Sequence, residues 1–165
     1  MKKVLCNCRL KIPLRIRLLR CYIWPILLYG CEAWTIKEVR SSLIVQASNR
    51  IEAFEMWTFR RMLATSWTLK VSNEDVLRRV NQRRELLHTM KIRKVAYLGH
   101  VLRHERYELL QLIMMGKVAG RRGVGHRKKS WLRNIREWTG IASAAGLFRL
   151  AKDRQKFTKL TANLR

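Results

Sequence analysis

The sequence predicts an all-α chain, an irregular array of about five to seven helices with a Gly/Arg-rich basic loop. Three observations carry this. Apolar residues recur at three- and four-residue spacing through most of the chain, which aligns them on one face of a helix. Two helix starts are marked by side chains able to satisfy otherwise orphan backbone N–H groups. Glycine and proline are sparse, 8 and 2 in 165 residues, and several fall where a helix should stop.

The elements follow in chain order. Pro13 can open a first helix, with Leu14, Leu18, Cys21 and Tyr22 on one face and Arg15, Arg17 and Arg20 mostly elsewhere. The alternation Leu10, Ile12, Leu14, Ile16, Leu18 also fits a strand. Pro25 and Gly30 should kink or end the element. Thr35-Ile36-Lys37-Glu38 reads as a capping box with Trp34 stapling to Val39. The stripe Ile36, Val39, Leu43, Ala47, Ile51, Phe54 and Met62 then defines a second helix. Ser72-Asn73-Glu74-Asp75 repeats the cap, with Val71 placed to staple to Val76. A longer helix is predicted from about Arg83 to Arg103, on Leu86, Leu87, Met90, Tyr97, Leu98, Val101 and Leu102. Tyr107 to Met115 is short and apolar, with Gly116 as its cap. Trp131, Leu132, Ile135 and Trp138 form a stripe ending at Gly140, and Leu147, Phe148, Ala151, Phe157 and Leu160 suggest one last, frayed helix.

Charge narrows the function classes. The chain carries 36 Lys+Arg against 11 Asp+Glu, a net charge of +25. Self-repulsion of that size opposes folding unless a polyanion neutralises it, so nucleic acid is the expected partner. The aspartates are Asp75 and Asp153 alone. Two-metal phosphoryl transfer needs several convergent carboxylates, so this chain by itself is not expected to polymerise or cut nucleic acid, and no cofactor is expected. Cys6, Cys8, Cys21 and Cys31 lack zinc-ribbon or finger spacing and read as free thiols. His100 and His104 are four apart, which could let two imidazoles share a metal, but no third ligand is evident apart from Glu105. They read as structural or surface histidines. The apolar run from Cys21 to Cys31 is about half the length that spans a bilayer and is interrupted by Pro25. A membrane is therefore not the expected partner, and the chain is expected in the nucleus or cytoplasm, not secreted.

The most polarised segment is the loop. Residues 116–127 hold four of the eight glycines, and 116–165 carry 14 basic against 2 acidic residues, so +12 of the +25 lies there. Glycines let a backbone approach phosphates, and a following helix N-terminus adds a positive dipole. The loop is not a nucleotide-binding P-loop, because the Gly-Lys-Ser/Thr ending is missing. Lys117, Arg121, Arg122, Arg127, Lys128, Lys129 and Arg133 are the main candidate phosphate contacts, with Arg15, Arg17 and Arg20 as a second set. Trp131 and Trp138 could stack on bases, but their spacing of seven reads as core.

Several ordered blocks carry a resemblance. Leu18-Leu-Arg-Cys-Tyr-Ile-Trp-Pro-Ile-Leu-Leu-Tyr-Gly-Cys-Glu-Ala-Trp-Thr35 resembles the segment just downstream of the polymerase core in non-LTR retrotransposon reverse transcriptases of the LINE class, RTE type. Arg50-Ile-Glu-Ala-Phe-Glu-Met-Trp-Thr-Phe-Arg-Arg-Met-Leu63 continues it, as do Ser72-Asn-Glu-Asp-Val-Leu77, Tyr97-Leu-Gly-His-Val101 and Gly120-Arg-Arg-Gly-Val-Gly-His-Arg127. The resemblance implies a thumb-like segment over 1–35, a helical extension over 36–115, and a basic loop with C-terminal helices over 116–165. It further implies that the endonuclease and the Mg²⁺-binding polymerase aspartates of the parent polyprotein lie upstream of Met1. The implied partners are an RNA or DNA backbone and the parent's palm and fingers. Ala119 and His126 depart from the family pattern, where an acid and an arginine are more usual. The alternative reading is a helical scaffold or interaction protein derived from a decayed element, without catalytic activity.

Overall fold

Every regular element among the described residues is helical. The computed structural model describes residues 6, 7, 9–34, 47–115 and 131–164. The chain forms two compact units, neither of them one continuous stretch: Met1–Tyr29 with Glu38–Leu87, and Gly30–Lys37 with His88–Arg165.

In the first unit, α1 (Ile12–Leu18) opens behind an extended Lys11, with Pro13 in its first turn where a missing N–H costs nothing. Pro25 cannot donate to the carbonyl four residues back, and its ring crowds that turn. The helix responds by widening into a π turn over Leu19–Ile23, in which the Trp24 N–H bonds the Leu19 carbonyl five residues earlier. It then resumes as α2 (Trp24–Leu27).

The face this rod buries is not the one the sequence suggested. Ile16, Leu19, Trp24 and Leu28 are buried, whereas Leu14, Cys21 and Tyr22 are exposed and Leu18 is half-buried. Apolar residues at every second position put hydrophobic side chains all around a helix, so its own pattern selects no face. The extra residue of the π turn also shifts the following side chains by about 100°.

Helix α3 (Ala47–Met62) buries Met56, Phe59 and Met62, while Ile51 and Phe54 of the expected stripe are half-buried. The expected capping box at Thr35–Glu38 lies outside the described residues. Helix α4 (Asn73–Val80) starts as read: the Ser72 hydroxyl accepts from the Asp75 N–H at 3.1 Å and donates to the Asp75 carboxylate at 2.7 Å. It ends at Asn81 in the left-handed conformation, φ 54°. Helix α5 (Leu86–Arg103) begins three residues later than Arg83. Its start is set from α3, because Glu55 Oε1 accepts the backbone N–H groups of Glu85 and Leu86 at 3.0 and 3.2 Å.

In the second unit, Met90, Val95, Leu98 and Val101 of α5 are fully buried. Gly99 admits the Phe157 ring: a Cβ there would sit 2.5 Å from it. The glycine costs the helix about 1 kcal/mol against alanine, and this close approach is its compensation. Helix α6 (Glu108–Met115) returns Gln111, whose amide donates to the Val101 and His104 carbonyls at 2.9 and 3.2 Å, satisfying acceptors at the end of α5. Helix α7 (Trp131–Thr139) stops at Gly140, φ 72°, as the pattern predicted.

The last helix of the sequence reading is two, α8 (Ala144–Lys152) and α9 (Arg154–Ala162). Asp153 separates them in an extended conformation, and its carboxylate accepts the N–H groups of Gln155 and Lys156, both at 3.1 Å. An aspartate at this point competes with the helix for its own backbone and starts a new one. With α1, the π turn and α2 taken as one rod, the described residues form eight helices.

Candidate nucleic-acid interface

The sequence-predicted contacts have different fates. Lys117, Arg121, Arg122, Arg127, Lys128 and Lys129 lie outside the described residues. Arg133 projects from α7 with an exposed side chain and pairs with Glu137 one turn on, at 3.1 Å. Arg17 is exposed on α1. Arg20 is held in place: its Nη2 donates to Glu85 Oε2 and to Gln82 Oε1, each at 2.6 Å, and its guanidinium lies 5.5 Å from the centre of the Trp24 ring.

Arg15 is corrected by the structure. Only 7% of it is exposed, and its Nη1 donates at 2.7 Å to the carbonyl of Met62, the last residue of α3. A cation at a helix C-terminus satisfies an orphan acceptor and opposes the negative end of the dipole. Arg15 therefore caps α3 from inside the unit and presents no donors to a ligand.

A second buried cation was not anticipated. Lys94 has no exposed surface, and its ammonium donates to the Trp34 carbonyl and, at 3.4 Å, to Asn134 Oδ1. It sits 5.1 Å from the centre of the Trp131 ring and 5.3 Å from that of Trp138. Burial pushes its pKa down to about 8, and the Cys31 thiol opposes that shift. Cys31 is itself fully buried, and burial followed by the neighbouring Glu32 pushes its pKa up. The Trp131 indole N–H donates to the Glu32 carbonyl at 2.6 Å. The two tryptophans are thus walls around Lys94 rather than a platform for bases. The sequence signal for this would have been a lysine within the apolar run of α5.

The remaining candidates are at the surface. The His100 and His104 rings lie 4.4 Å apart beside Tyr107, all on or just beyond the end of α5. Among the described residues no three His, Cys, Asp or Glu side chains converge as a metal site would require. Cys6 and Cys21 are exposed thiols that form no disulfide among the described residues, and the Cys6 thiol donates to the Arg61 carbonyl at 4.0 Å. No helix among the described residues is long and apolar enough to cross a membrane.

One basic run escaped the sequence reading. Arg78-Arg79 and Arg83-Arg84 flank Asn81, so the α4–α5 turn carries four arginines, all of them exposed residues. Acids elsewhere in 71–115 dilute them to a net +4 for the segment, which hid the cluster. An all-α, strongly basic chain with arginine-rich surfaces is what the fold and these positions define. Comparison with protein-family models, curated proteins and solved structures gives no match to this chain.

Proposed function

We propose that the chain binds the phosphate backbone of RNA or DNA, as the C-terminal region of a non-LTR reverse transcriptase without its polymerase and endonuclease catalytic residues. The observation that carries this is the net charge of +25, nearly half of it within residues 116–165. Each phosphate neutralised by such a surface releases counterions, so affinity falls steeply with salt. With only two aspartates in the chain, its role is to hold nucleic acid rather than to cut or copy it. The parent polymerase would supply the Mg²⁺ chemistry.

The test is fluorescence anisotropy on a labelled duplex across a salt series. Neutralising Arg121, Arg122, Arg127 and Lys128 should flatten the slope of log K against log salt by about three units, at about 0.7–0.9 per contact. Arg17→Gln is the control from α1; buried Arg15 is unsuitable for that purpose. Binding with no salt dependence refutes the reading.

A second reading, the helical scaffold, is favoured by one observation. Leu14, Tyr22, Ile26 and Tyr29 remain 45–85% exposed along the α1–α2 rod and the turn after it. Exposed apolar surface of this kind marks association sites. Self-association that persists at high salt, with no nucleic-acid binding, would select this reading.

A further inference from the structure

We infer that the first unit carries a second phosphodiester-binding site, a cleft lined by Arg20, Arg78 and Arg83. The inference rests on the nucleic-acid reading above and extends it to residues outside the basic loop. The cleft also includes Leu77, Asn81, Gln82 and Glu85 in its walls, has a volume of about 570 Å³ and opens widely to solvent, as a groove that admits a phosphodiester backbone must.

The chain builds this site locally. Asn81 takes the left-handed conformation at the end of α4 and turns the chain, so that Gln82–Glu85 fold back beside the helix end. Gln82 is fixed at both ends of its amide: Nε2 donates to the Asn81 carbonyl at 2.6 Å, and Oε1 accepts from Arg20. Arg20 is thereby oriented before any ligand arrives. Its two bonds, to Gln82 and Glu85, both leave from Nη2. A guanidinium has five N–H donors, so the Nε–H and the two Nη1 hydrogens of Arg20 remain to meet an oxyanion, as separate donors.

The other two arginines are less engaged. Arg78 has 81% of its side chain exposed and makes one long contact, 3.5 Å to Asp75. Arg83 is exposed and makes no ion pair among the described residues. Glu85 is the single carboxylate among the lining residues, so three guanidiniums face one acid. Such a concave, predominantly positive surface focuses field lines and attracts anions. The planar fork of arginine matches the two free oxygens of a phosphodiester, which specifies phosphate over a simple halide.

The test uses the full chain and a fluorescein-labelled duplex DNA in a salt series, with the Arg78→Gln/Arg83→Gln double variant. Each lost contact should flatten the slope by about 0.9, so between 50 and 200 mM salt the variant should lose about twelvefold less affinity than the parent. Glu85→Gln should bind more tightly than the parent at low salt, because it removes the acid from the cleft. An Arg149→Gln/Lys152→Gln pair on α8 controls for bulk charge and should change the slope by less than half as much. Far-UV circular dichroism confirms that each variant is folded.

If the parent binds with a steep slope and the double variant retains it, the cleft is not a site and only this inference falls. If the parent shows no salt-dependent binding, the nucleic-acid reading falls and takes the cleft with it. Sedimentation with phosphatidylserine vesicles is the second arm. Loss of vesicle binding in the double variant, with the nucleic-acid slope unchanged, assigns the arginines to a lipid headgroup and overturns the proposal.

Discussion

Replacing Lys94 by methionine should remove a pH dependence that wild-type protein shows between pH 8 and 10.5. The Lys94 ammonium is fully buried, and its pKa falls from 10.5 to about 8 through desolvation. Between those values the unfolded chain keeps the proton and the folded chain has released it. Stability therefore rises with pH across the window, by about 1.4 kcal/mol per unit. Over about two and a half units the gain is about 3 kcal/mol.

Below pH 8 both states are charged and Lys94 contributes no slope. Cys31 acts in the opposite direction, since a thiol held above its usual pKa of 9.0 withdraws stability as pH rises past that value. Lys94 itself lowers the Cys31 pKa, so both proteins are compared in a Cys31→Ala background, where the difference between them isolates Lys94. The absolute stability at pH 7 is a poorer readout. Losing the desolvated charge stabilises the variant, but the Trp34 carbonyl and Asn134 lose a donor, at about 1–3 kcal/mol for each group left unsatisfied. Urea denaturation by circular dichroism and tryptophan emission at pH 7.5, 8.5, 9.5 and 10.5 gives the measurement. Parallel curves for the two proteins would show that Lys94 titrates as an exposed lysine and that water reaches the Trp131–Trp138 cage.

Further outcomes follow from the same interior. Gly99→Ala should destabilise by about 1–3 kcal/mol despite the better helix propensity of alanine, because the new methyl meets the Phe157 ring; paired with Phe157→Leu, urea melts should recover most of the loss. Ser72→Ala should cost about 1 kcal/mol in the same melts through the lost α4 cap. Glu55 is buried with Oε2 unpartnered, and desolvation raises its pKa, so its stabilising effect is complete below pH 4.5 and is lost as pH rises through the raised value. Glu55→Gln keeps an acceptor for the Glu85 and Leu86 amides and should be at least as stable as wild type at pH 7, without the loss of stability that wild type shows as pH rises above 4.5. Glu55→Leu, which deletes that acceptor, should be clearly less stable at every pH.

Local chemistry was legible in the sequence wherever one or two neighbouring residues decide the outcome. The Ser72 cap, the Gly140 stop and the α7 stripe rest on side chains a few positions from the backbone they control, so a linear reading finds them. Pro25 was legible as a disturbance, though not as the π turn that preserves the rod. The all-α class follows from the same local signals, and net charge, a sum over residues, needs no fold at all. Asp153 was not read as a helix start, because the apolar stripe around it pointed to one helix rather than two.

Partner choice across the chain is what only the tertiary structure decided. Two arginines five residues apart on one rod have opposite fates, because Arg15 meets the carbonyl end of α3 while Arg20 meets Glu85 and Gln82 at the α4–α5 turn. Glu55 sets the first residue of α5 from 31 positions away, and Lys94 is buried because two tryptophans and a carbonyl from distant segments surround it. Helical periodicity assigns a residue to a face. Which face meets which, and therefore whether a cation caps, hides or waits for an anion, is fixed by packing between segments that the linear order does not bring together.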